Sequence, residues 1–343
     1  MPPAAYDLIG DLHGHADELE ALLAALGYAR TDGAWRHPER QAVFVGDFLD
    51  RGPKIRETLA LVRDMLEAGS ALAVLGNHEW NHFAYHFPDP DRPGEHLRRH
   101  TPRNDRQVAA TLAQVPTAEL ASHLAFLRTL PLRLELALPG GGNARVVHAC
   151  WDDVANAVID EAHARHGGLS DRFLIEGSNE ESLLYAALEI ALKGKEMELP
   201  PGDSLTDKDG VVRTLARVRW YADPAGHTAA SYALPHFPTI SNSPLPARVL
   251  AEARPYPPDA PPVFVGHYWL RDPAPAPLAP NVACLDYSVA AGGYLCGYRF
   301  EGDQDQRLSR WSFEWPGAKS ERERARLDQR VDGWADEDGV PHI

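Results

Sequence analysis

Five short apolar runs in this chain each end on a glycine or histidine followed or flanked by metal-type side chains, and this pattern constrains the fold more than any other feature. The runs end at Gly10-Asp11-Leu12-His13-Gly14, Gly46-Asp47-Phe48-Leu49-Asp50-Arg51-Gly52, Gly76-Asn77-His78-Glu79, Val147-His148-Ala149 and Gly266-His267. Between the first three lie segments of helical periodicity, Ala16 to Leu26 and Ile55 to Glu67. Alternating strand, polar loop and helix predicts α/β units whose functional side chains gather at one edge of a sheet. Later strands are expected at 132–138, 145–148, 263–266, 284–286 and 294–300, the last two in a second sheet. Residues 87–106, rich in Pro, Arg and His, read as a loop over the site, 108–130 as helix, and 154–196 as mostly helix. Gly140-Gly-Gly-Asn143 and Asp207-Lys-Asp-Gly210 read as turns, since neither continues into a phosphate loop or a calcium loop.

Carboxylates, one amide and imidazoles are the ligand types that hard and borderline divalent metals take, and no single motif here supplies enough of them. Together they read as a two-metal site. Asp11 and His13 alternate at one strand end and suit one ion. Asp47, after a neighbouring strand, suits a bridge between two ions, with Asn77, His148 and His267 completing the second. Ions so held sit roughly 3.5–4 Å apart, clamp the attacking and leaving oxygens of an in-line displacement, and lower the pKa of a shared water. Two divalent ions outweigh two carboxylates, so an acidic chain still presents a local anion site, and the expected substrate is a phosphate ester. Asp50 can orient His78 as the proton donor to the leaving oxygen. Arg51 offers a planar fork for two phosphoryl oxygens.

Each piece alone has a commonplace reading. Asp-x-His at a strand end is usually a surface turn, Gly-Asn-His-Glu a capped turn, and Val147-His148 a satisfied core histidine. Their joint order, each after a strand, is what makes them a site. His82, His86, His96 and His100 read as solvated loop residues, and Cys150 as a buried structural thiol.

The bulk numbers narrow the setting. With 343 residues and 44% hydrophobic content the chain can bury a large core. A net charge of −15 without a basic stripe speaks against duplex nucleic acid and anionic membrane as partners. No apolar run is long enough for a transmembrane helix, and the N-terminal residues lack the pattern of a secretory signal. Three cysteines without metal-type spacing suit a reduced, cytoplasmic setting.

The motifs GDLHG, GDFLDRG, GNHE, VHA and GH, in that order over about residues 6–300, resemble the metallophosphoesterase superfamily. The DRG and GNHE forms resemble its phosphoprotein phosphatase branch, which also holds symmetrical diadenosine tetraphosphatases. Trp220-Tyr-Ala-Asp-Pro224 is similar to a Trp-Ser-Asp-Pro segment of these phosphatases. The resemblance implies an α+β, four-layer αββα sandwich of two mixed sheets flanked by helices, in a domain over 1–315. A helical cap insertion at 154–215 and a charged tail at 316–343 are expected with it. It also implies Asp11, His13 and Asp47 on one metal, Asp47, Asn77, His148 and His267 on the other, a His78–Asp50 dyad, and phosphate contact by Arg51.

The chain departs from the family pattern at His148-Ala149-Cys150-Trp151 and at Gly266-His267-Tyr268, and it lacks the usual second phosphate-binding arginine. Arg217 and Arg219, alternating before Trp220, are the candidates for that role, with Arg213 behind them. The expected cofactors are two divalent ions, manganese first, with iron, zinc, cobalt or nickel also suited. The expected activity is that of a serine/threonine-phosphatase-like phosphomonoesterase, with dinucleoside polyphosphate hydrolysis as the alternative. The substrate is accordingly a phosphorylated small molecule, a nucleotide or a phosphoprotein. For a dinucleotide, Trp80, Tyr85, Trp151 and Trp269 are candidate walls of a base slot. A non-catalytic metal-holding scaffold is the competing class, and the presence of Asp50, Arg51 and His78 together weighs against it.

Overall fold

In a computed structural model, which describes residues 3, 5–137, 142–206, 210–302 and 307–317, the strand–helix alternation produces two mixed sheets. The first is built on β1 (Ala5–Ile9), β2 (Arg40–Phe44) and β3 (Ala71–Ala73), which run parallel, with Leu8 beside Val43 and Val43 beside Leu72. The second contains β4 (Arg133–Ala137), β5 (Asn143–Val147), β6 (Val263–Val265) and β7 (Val282–Cys284) in the order β7-β6-β5-β4, with only β4 antiparallel. β1, β6 and β7 are buried along their whole length and read as nearly continuous apolar runs, as strands covered on both faces usually do.

The chain then returns to the first sheet. β8 (Gly297–Phe300) pairs antiparallel with β1, and β9 (Phe313–Glu314) lies outside it. This corrects the expectation that 294–300 belongs to the second sheet. Its apolar pattern suits either sheet, and the free side of β1 takes it, placing Tyr298 opposite Leu8. Phe264 of β6 packs between the sheets against Tyr298 and Phe300, with ring centroids 5.1 and 5.3 Å apart.

Helices flank both sheets. α1 (Ala16–Ala25) and α2 (Ile55–Glu67) pack together beside the first. α3 (Asn77–His86) follows β3 directly, and α4 (Pro102–Gln114) and α5 (Thr117–Leu127) come next, separated by Pro116. The loop expected over 87–106 therefore ends at Thr101, whose hydroxyl caps α4 by accepting from the Asn104 N–H, with Pro102 in the first turn. That Thr-Pro signature was readable in the sequence. α6 (Asp153–His166), α7 (Asp171–Gly177) and α8 (Leu183–Lys193) pack with one another, and Ala149 donates to the Ala191 carbonyl at the end of β5. Just before the expected turn at 207–210 a short strand, Leu205–Thr206, pairs with Val212–Arg213. Among the described residues no helix is long and apolar enough to cross a membrane. All three cysteines are free and buried. Gly140 and Gly141 of the first expected turn, Asp207 to Asp209 of the second, and nearly all of the charged tail lie outside the described residues.

Candidate metal and phosphoester site

The carboxyl ends of β1, β2, β3, β5 and β6 converge where the two sheets meet, and each delivers one motif. The loops there are tightly drawn. Six residues without a glycine's freedom, His13, Asp47, Asp50, Arg51, His267 and Trp269, have φ between +42° and +73°. Such backbone costs about 1–3 kcal/mol per residue and persists only where the surrounding structure enforces it. Glycine is required where carboxylates press on the chain. A Cβ on Gly76 would meet Asp47 Oδ1 at 2.2 Å, and one on Gly266 would meet Asp11 Oδ1 at 1.9 Å.

Asp47 is the hub. Its Oδ2 lies 3.6 Å from His13 Nε2, 3.9 Å from His78 Nε2 and 3.3 Å from His148 Nε2. Two buried ligand groups meet on it, one with His13 and His78, the other with His148 and His267. Asn77 Oδ1 joins the second, 3.2 Å from His148 Nε2 and 2.7 Å from His267 Nδ1. Asp11 stands beside this set, and its carboxylate accepts the His267 N–H at 3.0 Å.

Whether this set suits metal ions can be judged from its lone pairs. His13 Nδ1 donates to the Leu49 carbonyl at 2.9 Å, and His148 Nδ1 to the Val45 carbonyl at 2.7 Å. That leaves each Nε2 as a lone pair aimed at the Asp47 carboxylate. His13 Nε2 and His267 Nε2 are buried without any hydrogen-bond partner. Acceptors facing acceptors in a buried space call for positive charge between them. Asp47 draws positive charge to the same place: it outweighs burial and lifts the His148 pKa to about 10, so that a proton on Nε2 stands where a divalent ion would supply the charge. Burial, with Asp286 and Asp47 as like charges nearby, pushes Asp11 well above the ordinary carboxylate range. Backbone carbonyls fixing the imidazole tautomers are the usual outer support of metal-ligating histidines. The donor set fits divalent ions.

Beside the hub, His78 Nδ1 donates to Asp50 Oδ2 at 2.6 Å. Asp50 is buried, which alone would raise its pKa, yet His82 and His78 hold it far below the ordinary range. Arg51 lies with its guanidinium 4.8 Å from the Trp269 ring centre, and its Nε is buried without a partner. The Trp269 ring is 5.6 Å from that of His13.

The remaining candidates fare unevenly. Arg217 donates from Nε to the Lys193 carbonyl at 2.5 Å and is near enough to His267 to help depress its pKa, after burial. Arg219 lies beyond the strand that ends at Arg217 and donates to the Tyr221 hydroxyl at 3.3 Å. Arg213 sits in the short hairpin with Leu205. Of the four proposed base-slot aromatics only Trp269 stands at the site. Trp80 is buried against Phe173, Tyr85 is buried with its hydroxyl on Asp105, and Trp151 is buried under Arg145.

Three residues at the site were not assigned in the sequence. Glu79 is fully buried and accepts the backbone N–H groups of Asp47, Phe48 and Gly76 at 2.8–2.9 Å, tying the β2 loop to the start of α3. Asp286 is pushed up to about 6, by burial first, and accepts from the Trp269 and Ser288 N–H groups. His82 is no loop residue: it lies inside α3, wholly buried, with Nε2 2.8 Å from Asp50 Oδ1. Its spacing of four from His78 was the available signal, since it puts both rings on one helix face.

Two mixed sheets whose strand ends converge on a buried, nitrogen- and oxygen-rich ligand set define a metal-site protein of mixed α/β build. The family model for calcineurin-like phosphoesterases matches residues 6–268, and the chain belongs to that family. Curated relatives include the asymmetrical bis(5'-nucleosyl)-tetraphosphatase PrpE of Bacillus velezensis, 48% identical over 75 residues, 22% of this chain and 30% of that one. The same protein from Bacillus subtilis is 47% identical over 75 residues, 22% and 31% of the two chains. The matched stretch thus spans under a third of these relatives. Among solved structures, a cold-active protein-tyrosine phosphatase of a psychrophilic Shewanella aligns over 87% of this chain and 78% of that one, at TM-score 0.47 and 19% identity. A Saccharomyces cerevisiae serine/threonine phosphatase with similarity to human PP5 aligns over 92% and 79%, at TM-score 0.46 and 13% identity.

Proposed function

We propose that this protein is a metal-dependent phosphoester hydrolase whose substrate is a dinucleoside polyphosphate. The observation that carries the hydrolase reading is Asp47, one buried carboxylate shared by two groups of nitrogen ligands. Asp11, His13 and Asp47 would hold one divalent ion, and Asp47, Asn77, His148 and His267 the other. Such ions polarise a phosphoryl group and activate water. Manganese is the first metal to supply, since mixed O/N ligands suit it.

The chain's own side chains divide the remaining work. Arg51 presents its fork to phosphoryl oxygens, and the indole of Trp269 beneath it holds the guanidinium plane. His78, fixed at Nδ1 by Asp50, directs Nε2 into the site and passes a proton from there to the leaving oxygen. Arg217, on the His267 side, is the better placed of the candidate arginines for a further phosphate. The nucleotide substrate is supported by identity to relatives named as bis(5'-nucleosyl)-tetraphosphatases.

The test strips the protein with chelator, resupplies manganese, and compares diadenosine tetraphosphate, a phosphothreonine peptide and p-nitrophenyl phosphate. Manganese-dependent turnover preferring the dinucleotide is expected. Preference for the peptide would replace the substrate assignment with the phosphomonoesterase reading. No turnover on any of the three with metal bound would favour the scaffold. His78→Asn is expected to lower kcat on the preferred substrate by about 100-fold with bound metal unchanged.

A further inference from the structure

Asp50 is gripped on both oxygens. His78 Nδ1 holds Oδ2 at 2.6 Å, while His82 Nε2 holds Oδ1 at 2.8 Å. Thr111 of α4 closes the arrangement: its hydroxyl donates to Oδ1 at 2.6 Å and accepts the Asp50 N–H at 3.0 Å. All of these groups are buried, and His82 and Thr111 are wholly so. A carboxylate with one free oxygen can rotate about its terminal torsion, which is broad. One with both oxygens held cannot, so the direction of its bond to His78 is set. His82 Nδ1 is buried without a hydrogen-bond partner, a polar cost that a residue serving only to fill space would not carry.

The geometry points to His82 as a positioning residue for the His78 proton donor, acting through Asp50, with Thr111 as its partner in that role. This rests on the proposed assignment of His78 as the acid. The direction of the Asp50 charge agrees: after burial, which opposes ionisation, His82 is the largest influence keeping Asp50 ionised. His78 and His82 stand four residues apart on α3, so one rigid element carries both the acid and the clamp on its orienting carboxylate.

The role predicts a dependence on leaving group. Phenyl phosphate expels a basic phenolate that needs a proton, and p-nitrophenyl phosphate expels one that hardly does. In the manganese-loaded full chain, His82→Leu is expected to lower kcat on phenyl phosphate on the order of tenfold, a fraction of what a general acid contributes. On p-nitrophenyl phosphate the loss should stay within about twofold, with KM and bound metal unchanged. His82→Gln, whose amide nitrogen can reach the place of Nε2, should restore most of the loss, and Thr111→Val should reproduce the split. Equal losses of kcat on both substrates in His82→Leu, or no loss on either, would overturn the positioning role. Should His82→Leu not fold, Thr111→Val and His82→Gln decide: an unchanged ratio of the two substrates in Thr111→Val overturns it. His78→Asn, run alongside, separates the two assignments. If it shows no leaving-group split, the acid reading itself fails and the positioning role falls with it. If it shows the split and the Leu and Val variants do not, only the role of His82 fails.

Discussion

Helices α2 and α3 are built on opposite logic. In α2, Ile55, Thr58, Leu59, Val62 and Met65 are buried and recur at helical spacing, while the other face is largely exposed. In α3, the nine residues from Asn77 to Tyr85 are all buried, although Asn, His and Glu make up five of them. Hydrophobic burial decides where α2 lies. α3 is held inside by hydrogen bonds to groups that belong to the site: Asn77 to His148 and His267, His78 and His82 to Asp50, Glu79 to three backbone N–H groups. A polar helix in the interior is tolerable where its polar groups find partners, and here those partners are groups of the site, with His82 Nδ1 left without one.

The comparison breaks most visibly at Glu79. Glu79→Ala leaves the N–H groups of Asp47, Phe48 and Gly76 buried without an acceptor, each worth about 1–3 kcal/mol. A loss of about 3 kcal/mol or more in urea unfolding is expected, together with weakened manganese binding because the Asp47 loop loses its anchor. Leu59→Ala in α2 is the matched control. It should cost about 2–4 kcal/mol through lost burial and the cavity left behind. Manganese affinity, measured by calorimetry, should stay as it was, since Leu59 offers no ligand atom and its loss leaves the hydrogen bonds of Glu79 to the Asp47 loop in place. If Leu59→Ala weakened metal binding as much as Glu79→Ala, the separation between the two helices would be wrong.

The same contrast explains what could be read in advance. The apolar face of α2 is visible in one window of sequence, and its boundaries, Ile55 to Glu67, were legible. So was the convergence of Asp47, Asn77, His148 and His267, because each stands at the end of an apolar strand run. α3 was not, since a helix whose interior positions are Asn, His and Glu has no apolar stripe to find, and its histidines look like surface residues. What buries them is remote in sequence: Asp50 from the β2 loop, Thr111 from α4, and Phe173 from α7 packing on Trp80. The base slot failed for the same reason. Trp80, Tyr85 and Trp151 are aromatic residues near motifs, but the covering helices take up their surfaces, and only Trp269 meets Arg51. The exchange of β8 into the first sheet depends on which edge is free, a fact of topology that no local pattern encodes.

At its last residue α3 leaves the interior, and there the comparison can be sharpened at small scale. His86 is exposed by area, yet its ring stacks near His82 and sits beside Tyr85, with centroids 5.7 and 5.3 Å away. Its pKa is lowered to about 4, by burial of the ring first and then by the neighbouring charges of His82, His100 and His96. In the unfolded chain an ordinary histidine titrates near 6.5. Between those values the unfolded state therefore binds the proton more readily than the folded one, and stability contributed by neutral His86 is lost as pH falls from about 6.5 toward 4. Above 6.5 both states are neutral and the residue is silent. Solvent screens so exposed a group, so the effect should be a fraction of a kcal/mol. Urea midpoints at pH 7 and pH 5 for the parent and His86→Asn provide the measurement. The variant should match the parent's midpoint change with pH less its His86 share, showing a smaller drop at pH 5. An identical drop in both would mean that His86 carries no pH-dependent stability and that the buried character of α3 stops short of its last residue.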